Sequence, residues 1–263
     1  MPEGHALHRL ARRHQRRFAG SVVRVSSPQG RFTDAALIDG LVLRRASAWG
    51  KHLFHHYEGG AIVHVHLGLY GTFREQPAPM APPVGAVRMR MIGTEFGTDL
   101  RGPTACDVLD EGQVSAILDR LGPDPLRSDA DPSLAWSRIS KSRKAIGALL
   151  MDQSVLAGVG NVYRAELLFR HGIDPYRLGR DMGETEFDAA WTDLVELMKV
   201  GVRRGRIIVV RPEHDTGAPG YGPKRPRTYV YRRTGEPCRL CGTAIRTAEM
   251  EGRNLFWCPT CQS

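Results

Sequence analysis

LLMDQSVLAGVGNVY, residues 149–163, is the stretch that decides the fold of the C-terminal half of this chain. Apolar residues recur at helical spacing on both sides of its glycines, which predicts one helix over residues 144–152 and another over residues 161–171. Gly158 and Gly160 permit a tight turn and a close approach of the backbone to a phosphate, and free N–H groups at a helix start bind anions. The stretch therefore predicts two helices joined by a turn that suits a phosphate.

Upstream of this stretch, the pattern changes from helices to short strands. A helix is predicted over residues 3–18, where apolar residues recur at helical spacing and Gly20 follows as a stop. Alternating runs separated by Gly and Pro come next, which is typical of an all-β sandwich or barrel. The runs cover residues 22–25, 41–45, 51–57, 61–66 and 88–92.

Four of the five cysteines lie near the C-terminal end in two Cys-x-x-Cys pairs. The first motif contains Cys238 and Cys241, and the second contains Cys258 and Cys261. Sixteen residues lie between Cys241 and Cys258. No signal peptide is visible, so the protein is expected in the cytoplasm, where such pairs bind zinc rather than form disulfides. Four thiolates close a tetrahedral shell, which predicts one structural Zn²⁺. Cys106 stands apart and is expected to be a buried apolar thiol.

The order of these patterns predicts an α+β multidomain protein. A further helix is predicted over residues 184–202, with Phe187, Trp191 and Leu194 on one face. An N-terminal β-sandwich with an N-terminal helix should precede a helical domain and a zinc finger. The expected parts are residues 1–118 for the sandwich, 119–134 for a linker, 135–223 for the helical domain and 224–263 for the finger.

The charge of the chain indicates a polyanionic partner. The formal net charge is +9, and residues 8–24 contain six arginines and no acid, while residues 199–239 hold eleven Lys and Arg. Clustered cations gain affinity by releasing counterions from phosphate, although a solvated basic surface is the alternative. No stretch approaches the roughly 20 apolar residues of a membrane helix. We therefore expect no membrane partner, and a monomer that acts in the cytoplasm at the nucleoid.

Three ordered segments resemble the formamidopyrimidine-glycosylase/endonuclease VIII (Fpg/Nei) family of DNA glycosylases. They are Met1-Pro2-Glu3-Gly4, residues 149–163, and the four cysteines with Gly252-Arg253 ahead of the third. The resemblance spans essentially the whole chain in the family's order. It implies an N-terminal active site, a helix–two-turn–helix, a zinc finger, and a bifunctional DNA glycosylase/AP lyase of base excision repair.

Pro2 and Glu3 are the candidate catalytic residues at the N-terminus. Removal of Met1 would leave Pro2 with a free secondary amine, whose pKa the positive end of the following helix would lower. Attack of this amine on a sugar C1′ expels the base and leaves an iminium, from which β- and δ-elimination cut the strand. The resemblance assigns proton transfer to Glu3. The alternative is that Pro2 is only a favourable first helical residue and Glu3 a first-turn acid.

Lys51, Leu69 and Tyr70 are three further candidates in the N-terminal half. Trp49, Lys51 and Leu53 would share one strand face. Lys51 matches the family's lysine that contacts the phosphates of the lesion. The alternative for Lys51 is a solvated charge on an edge strand. Leu69-Tyr70 is similar to the endonuclease VIII wedge that fills the space left by a flipped nucleotide. A buried strand end is the alternative reading for that pair.

Asn161 and Arg253 are the candidate phosphate contacts of the C-terminal half. By resemblance Asn161 is the phosphate-binding Asn, with an ordinary helix cap as the alternative. Arg253, between the two cysteine pairs, matches the family's arginine on the phosphates near the lesion, and a guanidinium suits such a contact. A surface cation is the alternative for Arg253. His64 and His66 share a strand face, but two histidines without a third ligand indicate packing rather than a metal site.

The lesion class follows from departures from the Fpg branch. Gly147 stands where Fpg proteins carry a lysine, residues 207–229 lack that branch's lesion-capping motif, and Arg101 lacks its double-arginine pattern. With Leu69-Tyr70, this favours oxidised pyrimidines and abasic sites in double-stranded DNA, with single-stranded DNA open as a second substrate. Oxidised purines, a non-catalytic zinc-ribbon binder of damaged DNA and a ribosome-associated zinc protein are the alternatives.

Overall fold

The chain forms two compact units, which a computed structural model describes over residues 2–263. The first unit ends at Arg120 and the second begins at Leu121. Met1 and its removal lie outside the described residues. The finer domain boundaries at residues 118, 134 and 223 stay predictions.

The first unit consists of one long helix and two four-stranded antiparallel sheets. Helix α1 spans Gly4–Phe18. One sheet has the strand order β1-β6-β7-β5 and the other β2-β3-β4-β8. The strands are β1 (Arg24–Ser26), β2 (Leu43–Trp49), β3 (His52–Tyr57), β4 (Ile62–His66), β5 (Thr72–Pro77), β6 (Met89–Ile92), β7 (Phe96–Arg101) and β8 (Ala105–Leu109). Helix α2 (Glu111–Leu118) follows β8.

The core of the first unit lies between α1 and the two sheets. Leu7, Leu10 and Phe18 are buried on one face of α1, and Phe18 is fully buried. They pack with apolar residues of both sheets, such as Leu53 and Met91. The spacing of these positions by three and eight residues, close to one and two helical turns, is what placed this helix correctly from sequence.

The hairpin between β2 and β3 corrects one prediction. Trp49 pairs with His52, so Gly50 and Lys51 form a two-residue turn rather than part of a strand. Gly50 adopts a φ of 55°, a left-handed conformation that a glycine takes without strain. The prediction that Lys51 shares a strand face with Trp49 and Leu53 was therefore wrong, because the glycine closes the hairpin at that point.

Three strands of the first unit were absent from the sequence predictions. They are β5, β7 and β8, and the first two are rich in polar residues. In β7 the fully buried Thr98 and the almost fully buried Asp99 stand where a strand prediction from alternating hydrophobicity needs apolar residues. Asp99 is accommodated because Arg90 of β6 donates two hydrogen bonds to it, at 2.7 and 2.9 Å.

The second unit is helical and ends in a small hairpin. Its helices are α3 (Pro132–Ile139), α4 (Ile146–Leu149), α5 (Asn161–Arg170) and α6 (Glu184–Arg204). The hairpin pairs β9 (Arg246–Met250) with β10 (Arg253–Trp257). Helix α4 is a single turn, so the longer helix predicted over residues 144–152 was wrong at both ends, and α3 was not predicted.

Tertiary hydrogen bonds explain why α4 is so short. The N–H of Ile146 donates to the carbonyl of Arg177 at 2.8 Å, and the N–H of Gly147 donates to that of Pro175 at 3.0 Å. These bonds replace the intrahelical partners that a longer helix would need.

The predicted fold class is confirmed: a β-sandwich with an N-terminal helix precedes a helical part with a finger. Within residues 2–263, no helix has the length and apolar character that a membrane crossing requires.

The stability of the first unit should depend on pH through its buried histidines. Burial lowers the pKa of His14 to about 3 and that of His64 to about 4, from an ordinary value of 6.5. Below pH 6.5 the unfolded chain therefore binds more protons than the folded one. The stabilisation is complete above this value and is lost as the pH falls towards the folded-state values.

We expect the free energy of unfolding of the first unit to fall by about 1.4 kcal/mol for each fully buried imidazole between about pH 7.5 and about pH 5.5. Hydrogen exchange of residues 2–120, corrected for intrinsic rates, measures this change. His14→Asn removes one titrating group and should reduce the loss. An equal free energy of unfolding at both pH values would contradict the prediction.

Candidate active site and nucleic-acid interface

Pro2 and Glu3 lie immediately ahead of α1. Pro2 is half-buried and Glu3 is fully buried. Glu3 is extended, with a φ of −113° and a ψ of 175°, and makes no side-chain cap of the helix. The first N–H groups of α1 therefore carry the positive end of the helix dipole beside these two residues.

Lys51 lies beside histidines of β3 and β4. Burial lowers the pKa of His66, and the charge of Lys51 lowers it further. Burial also lowers the pKa of His52 to about 3, with His64 as the next cause. His52 Nδ1 is 2.8 Å from His64 Nε2, so one N–H···N hydrogen bond joins these two imidazoles. The low pKa of His52 keeps that ring neutral at neutral pH, and the cations that act on it are Arg120 and Lys51.

The turn between β4 and β5 exposes Leu69 and Tyr70. Tyr70 is 83% exposed and Leu69 is 43% exposed, which is unusual for adjacent large apolar side chains. A Cβ on Gly68 would lie 1.9 Å from the Thr104 hydroxyl, and one on Gly71 would lie 2.2 Å from the Leu67 carbonyl. Both glycines are therefore required for the turn. The exposed pair contradicts the reading of this segment as a buried strand end.

Arg101 is held at the end of β7 and is not presented as a wedge. It donates to the carbonyl of Val84 and, at 3.4 Å, to the Asp99 carboxylate. These bonds hold the Arg101 side chain at the position where the sequence lacks the double-arginine pattern of the Fpg branch. Cys106 is 5% exposed, and burial raises its pKa to about 12, so it is the buried thiol that was predicted.

Asn161 begins α5 and is tied to the hairpin of the finger. Its amide nitrogen donates to the carbonyl of Asn254 at 2.8 Å, and its Oδ1 accepts from Arg164 one turn further along. Arg164 is fully buried and also donates to the carbonyl of Met250 at 3.3 Å. Because Arg253 lies between Met250 and Asn254 in the hairpin, these bonds bring Asn161 and Arg253 together.

Arg253 is presented by a tight turn between β9 and β10. The turn consists of Glu251 and Gly252, with φ values of 54° and 63°. Two successive left-handed residues match a type I′ turn, which suits the twist of the flanking strands. Arg253 itself is exposed. Its guanidinium is therefore available while its backbone is fixed by pairing with Met250.

Glu166 anchors the segment that leads into the finger. Its carboxylate accepts hydrogen bonds from the N–H groups of Tyr229, Val230 and Tyr231, at 2.7, 2.9 and 2.7 Å. Burial raises the pKa of Glu166, and the three N–H donors act against that shift. Complete burial of this carboxylate is tolerable because three backbone donors replace its hydration.

The four C-terminal cysteines form one cluster. Their sulfur atoms all lie within 4.8 Å of one another, with 3.9 Å between Cys238 and Cys261 and 3.4 Å between Cys241 and Cys258. Sulfurs about 2.3 Å from a tetrahedral zinc ion would lie about 3.8 Å apart. The donor set and its spacing therefore fit one structural zinc ion. No other metal-binding group is found among residues 2–263.

Sequence reasoning missed Arg164, Glu166 and His66 as supporting residues of the site. The signal for the first two was present, because an Arg and a Glu stand among otherwise buried positions of a predicted helix. Such charges need specific partners. Arg164 has one near partner, Asn161, but the Met250 carbonyl and the N–H groups that bind Glu166 come from segments more than sixty residues away, so the sequence could not name them. His66 was considered for metal binding and packing, and its position beside Lys51 comes from the hairpin.

Three family descriptions match the chain. Residues 1–105 match the formamidopyrimidine-DNA glycosylase N-terminal domain, residues 121–212 match the formamidopyrimidine-DNA glycosylase H2TH domain, and residues 235–263 match a zinc finger found in FPG and IleRS. The last match agrees with the four clustered sulfurs, and the chain carries one structural zinc.

Curated and solved relatives match over the full length. "Endonuclease 8 1" of Mycobacterium tuberculosis is 73% identical over 268 residues and is covered completely, as is this chain. "Formamidopyrimidine-DNA glycosylase" of Thermus thermophilus is 32% identical, covering 100% of this chain and 98% of the relative. A Lactococcus lactis Fpg structure with abasic-site DNA superposes with a TM-score of 0.80 over 99% of both chains at 21% identity, which shows a shared fold.

Loss of one zinc ligand should unfold the finger alone. We expect Cys241→Ala to lower the zinc content from one ion per chain to near zero, because three thiolates hold the ion poorly. Amide exchange should then accelerate in residues 238–263 and stay unchanged in residues 2–120. Elemental analysis and hydrogen-exchange mass spectrometry measure both effects. Cys106→Ala is the matched control and should retain the zinc; equal zinc in both variants would refute the assignment.

Proposed function

The chain belongs to the formamidopyrimidine-DNA glycosylase/endonuclease VIII family, and on that premise we propose that Pro2, once Met1 is removed, supplies its nucleophilic amine. The protein is a DNA glycosylase with AP lyase activity in base excision repair, and its partner is DNA with damaged bases or abasic sites. The observation that carries the proposal is the position of Pro2 and the fully buried Glu3 at the positive end of α1.

The chemistry of Pro2 accounts for both activities. Its nitrogen lone pair attacks C1′, the N-glycosidic bond breaks, and the departing base takes the bond electrons and a proton. The nitrogen then loses its proton, and its lone pair breaks the C1′–O4′ bond; O4′ takes a proton as the sugar ring opens and an iminium forms. This iminium acidifies the C2′–H, whose loss breaks the C3′–O bond, and a second elimination breaks the C5′–O bond. The helix dipole supports this role because it favours the neutral, nucleophilic amine at neutral pH.

Glu3 and Lys51 are proposed to assist this reaction. A buried carboxylate adjacent to the nucleophile suits proton transfer at the sugar ring. Lys51, in its two-residue turn, is proposed to contact the phosphates of the lesion. Its support is the position of Lys51 beside His52 and His66, where burial lowers the pKa of both rings and a second cation, Arg120, lies near His52.

Asn161 and Arg253 are proposed to bind the DNA backbone. Their support is the hydrogen bond from Asn161 to Asn254, which fixes the exposed Arg253 beside the start of α5. Helix N–H groups, an amide and a guanidinium would then converge on phosphate. Leu69 and Tyr70 are proposed to fill the space that an extruded nucleotide leaves, supported by their exposure on a turn that two glycines fix.

Oxidised pyrimidines are the proposed lesion class. A Cβ on Gly147 would lie 3.0 Å from both Met250 Sδ and the Pro175 carbonyl, so the lysine of the purine-excising branch has little room at this position. The segment over residues 207–229, which lacks that branch's capping motif, is held by Arg225, which donates two hydrogen bonds to Asp215 at 2.7 and 2.8 Å. A non-catalytic zinc-ribbon binder is not favoured, since the family matches include the N-terminal glycosylase domain.

We propose that the protein acts in the cytoplasm, at the nucleoid.

Borohydride trapping tests the nucleophile. We expect wild-type protein to form a covalent adduct with abasic DNA on reduction, and Pro2→Gly to trap far less, because the secondary amine is replaced by a weaker primary one. Intact mass must first show that Met1 is absent from both proteins. Arg24→Ala, whose arginine pairs with Asp39 on the surface, is a control that should trap like wild type. Equal trapping by Pro2→Gly would refute the role of Pro2.

Excision rates on defined lesions test the pyrimidine preference. We expect thymine glycol and dihydrouracil to be removed from duplex DNA at least about tenfold faster than 8-oxoguanine under single-turnover conditions, because pocket contacts of one or two kcal/mol suffice for that ratio. The same lesions in single strands address the second substrate form. A clear preference for 8-oxoguanine would overturn the proposal for pyrimidines while leaving the glycosylase assignment intact.

A further inference from the structure

A buried chain of polar side chains joins three elements of the first unit. His14 of α1 and His55 of β3 are both fully buried, and His14 Nδ1 lies 2.9 Å from His55 Nε2. On the other side of the ring, His14 Nε2 faces Glu75 Oε1 of β5 at 3.6 Å. Arg13 and Arg17 pair with the same carboxylate. The chain thus connects the helix with one strand from each sheet.

Each of these three elements begins directly after a candidate site segment. Helix α1 follows Pro2 and Glu3, strand β3 follows Lys51, and strand β5 follows Leu69 and Tyr70 by two residues. The polar chain therefore links the elements behind the points at which they present the proposed nucleophile, lysine and wedge. A change in the orientation of one of these elements at the linked polar side chains would therefore shift the site residue that the element presents.

The Glu75 carboxylate favours one direction for the proton of the His14–His55 bond. It faces His14 Nε2 at 3.6 Å, which is too long for a hydrogen bond, but its negative charge favours the His14 tautomer with the hydrogen on Nε2. His14 Nδ1 is then an acceptor, and His55 Nε2–H is the donor in the bond between the rings. Burial, followed by Arg13 and Arg17, lowers the pKa of His14, which keeps the ring neutral with one donor and one acceptor.

This arrangement is not the most stable one that the core could hold. His14 Nε2 and His55 Nδ1 are buried without a hydrogen-bond partner, which costs about 1–3 kcal/mol for each atom. Apolar side chains in the same places would avoid that cost, since Phe18 and Phe73 already pack against the His14 ring. A directional bond, unlike apolar contact, fixes the rotation and tilt of the helix on the sheet.

The geometry of α1 amplifies small changes at His14. Twelve residues separate Pro2 from His14, or about 18 Å at roughly 1.5 Å per residue. A tilt of about 5° at His14 would move Pro2 by about 1.6 Å, and misplacement of a reacting group by about 1 Å can cost about 100-fold in rate.

We propose that His14 and His55 are positioning residues, which hold α1 on β3 so that the Pro2 amine stays in register with Lys51. The inference rests on the proposed nucleophilic role of Pro2. Neither imidazole touches substrate, and both act through the orientation of the helix.

Paired substitutions separate positioning from stability. His14→Leu removes the bond between the rings, whereas His14→Asn keeps an acceptor oxygen close to the position of Nδ1. We expect His14→Leu to lower the single-turnover rate on abasic duplex DNA by about tenfold or more. Its Kd for DNA should stay within about twofold of wild type. The protein should stay folded at the assay temperature, although its melting temperature should fall because His55 Nε2 loses its buried partner. His14→Asn should recover the rate to within about threefold.

His56→Leu is the matched control. His56 is the next residue of β3 and points to the opposite face, where it contacts Ser47, so its loss should leave the single-turnover rate within about twofold of wild type. His55→Met removes the same ring-to-ring bond from the sheet side and replaces His14→Leu if that variant does not fold.

The outcomes are decisive in each case. A wild-type rate in His14→Leu, a failure of His14→Asn to recover the rate, or unfolding of both apolar variants would overturn the proposal, the last because the pair would then be needed for folding. Absence of any trapped adduct with wild type would instead refute the proposed function. Normal trapping with unaffected variants would refute only the positioning role.

Discussion

The second unit depends on one buried guanidinium, that of Arg164 in α5. A fully buried arginine must have its donors satisfied, and here the acceptors are the Asn161 side chain and the carbonyls of Gly147 and Met250. These acceptors belong to α4, the start of α5 and the hairpin of the finger. The requirement to satisfy a single side chain therefore holds the glycine-rich turn against the hairpin that carries Arg253.

The first unit uses the same physical device with different residues. The pair of Arg90 and Asp99 links β6 with β7, and the chain of His14, His55 and Glu75 links α1 with both sheets. In each unit, apolar packing supplies a core that would tolerate small displacements, and buried polar bonds select one arrangement. The selected arrangements are those that fix the ends of α1, β3 and α5, where the candidate site residues lie.

Glycines define where those site residues can be presented. Gly50 closes the turn of Lys51, and Gly68 and Gly71 bracket the exposed Leu69 and Tyr70. At Gly71 a Cβ would meet backbone atoms that cannot move aside cheaply. Leu69 and Tyr70 are therefore held on a stiff turn, which would limit the entropy lost in the entry into a duplex that we propose for this pair.

The sequence by itself determined the parts of the protein whose signals are local. Helices α1, α5 and α6 follow from apolar spacing, and the zinc ligands follow from two short cysteine pairs, because the side chains concerned are close in sequence. The order of three motifs was enough to indicate the family and the candidate residues Pro2 and Glu3. Strands β5 and β7 were missed because neither carries an apolar alternation: β5 is mostly polar and no more than partly buried, and β7 buries the polar residues Thr98 and Asp99.

Only the tertiary structure decided the features that depend on distant partners. It placed Lys51 in a turn, shortened α4 through hydrogen bonds to Pro175 and Arg177, and brought Asn161 to Arg253 through Arg164. The bond between His14 and His55 joins residues 41 positions apart. Such contacts follow from the energetic cost of leaving buried polar groups without partners, and that cost selects partners in space rather than along the chain.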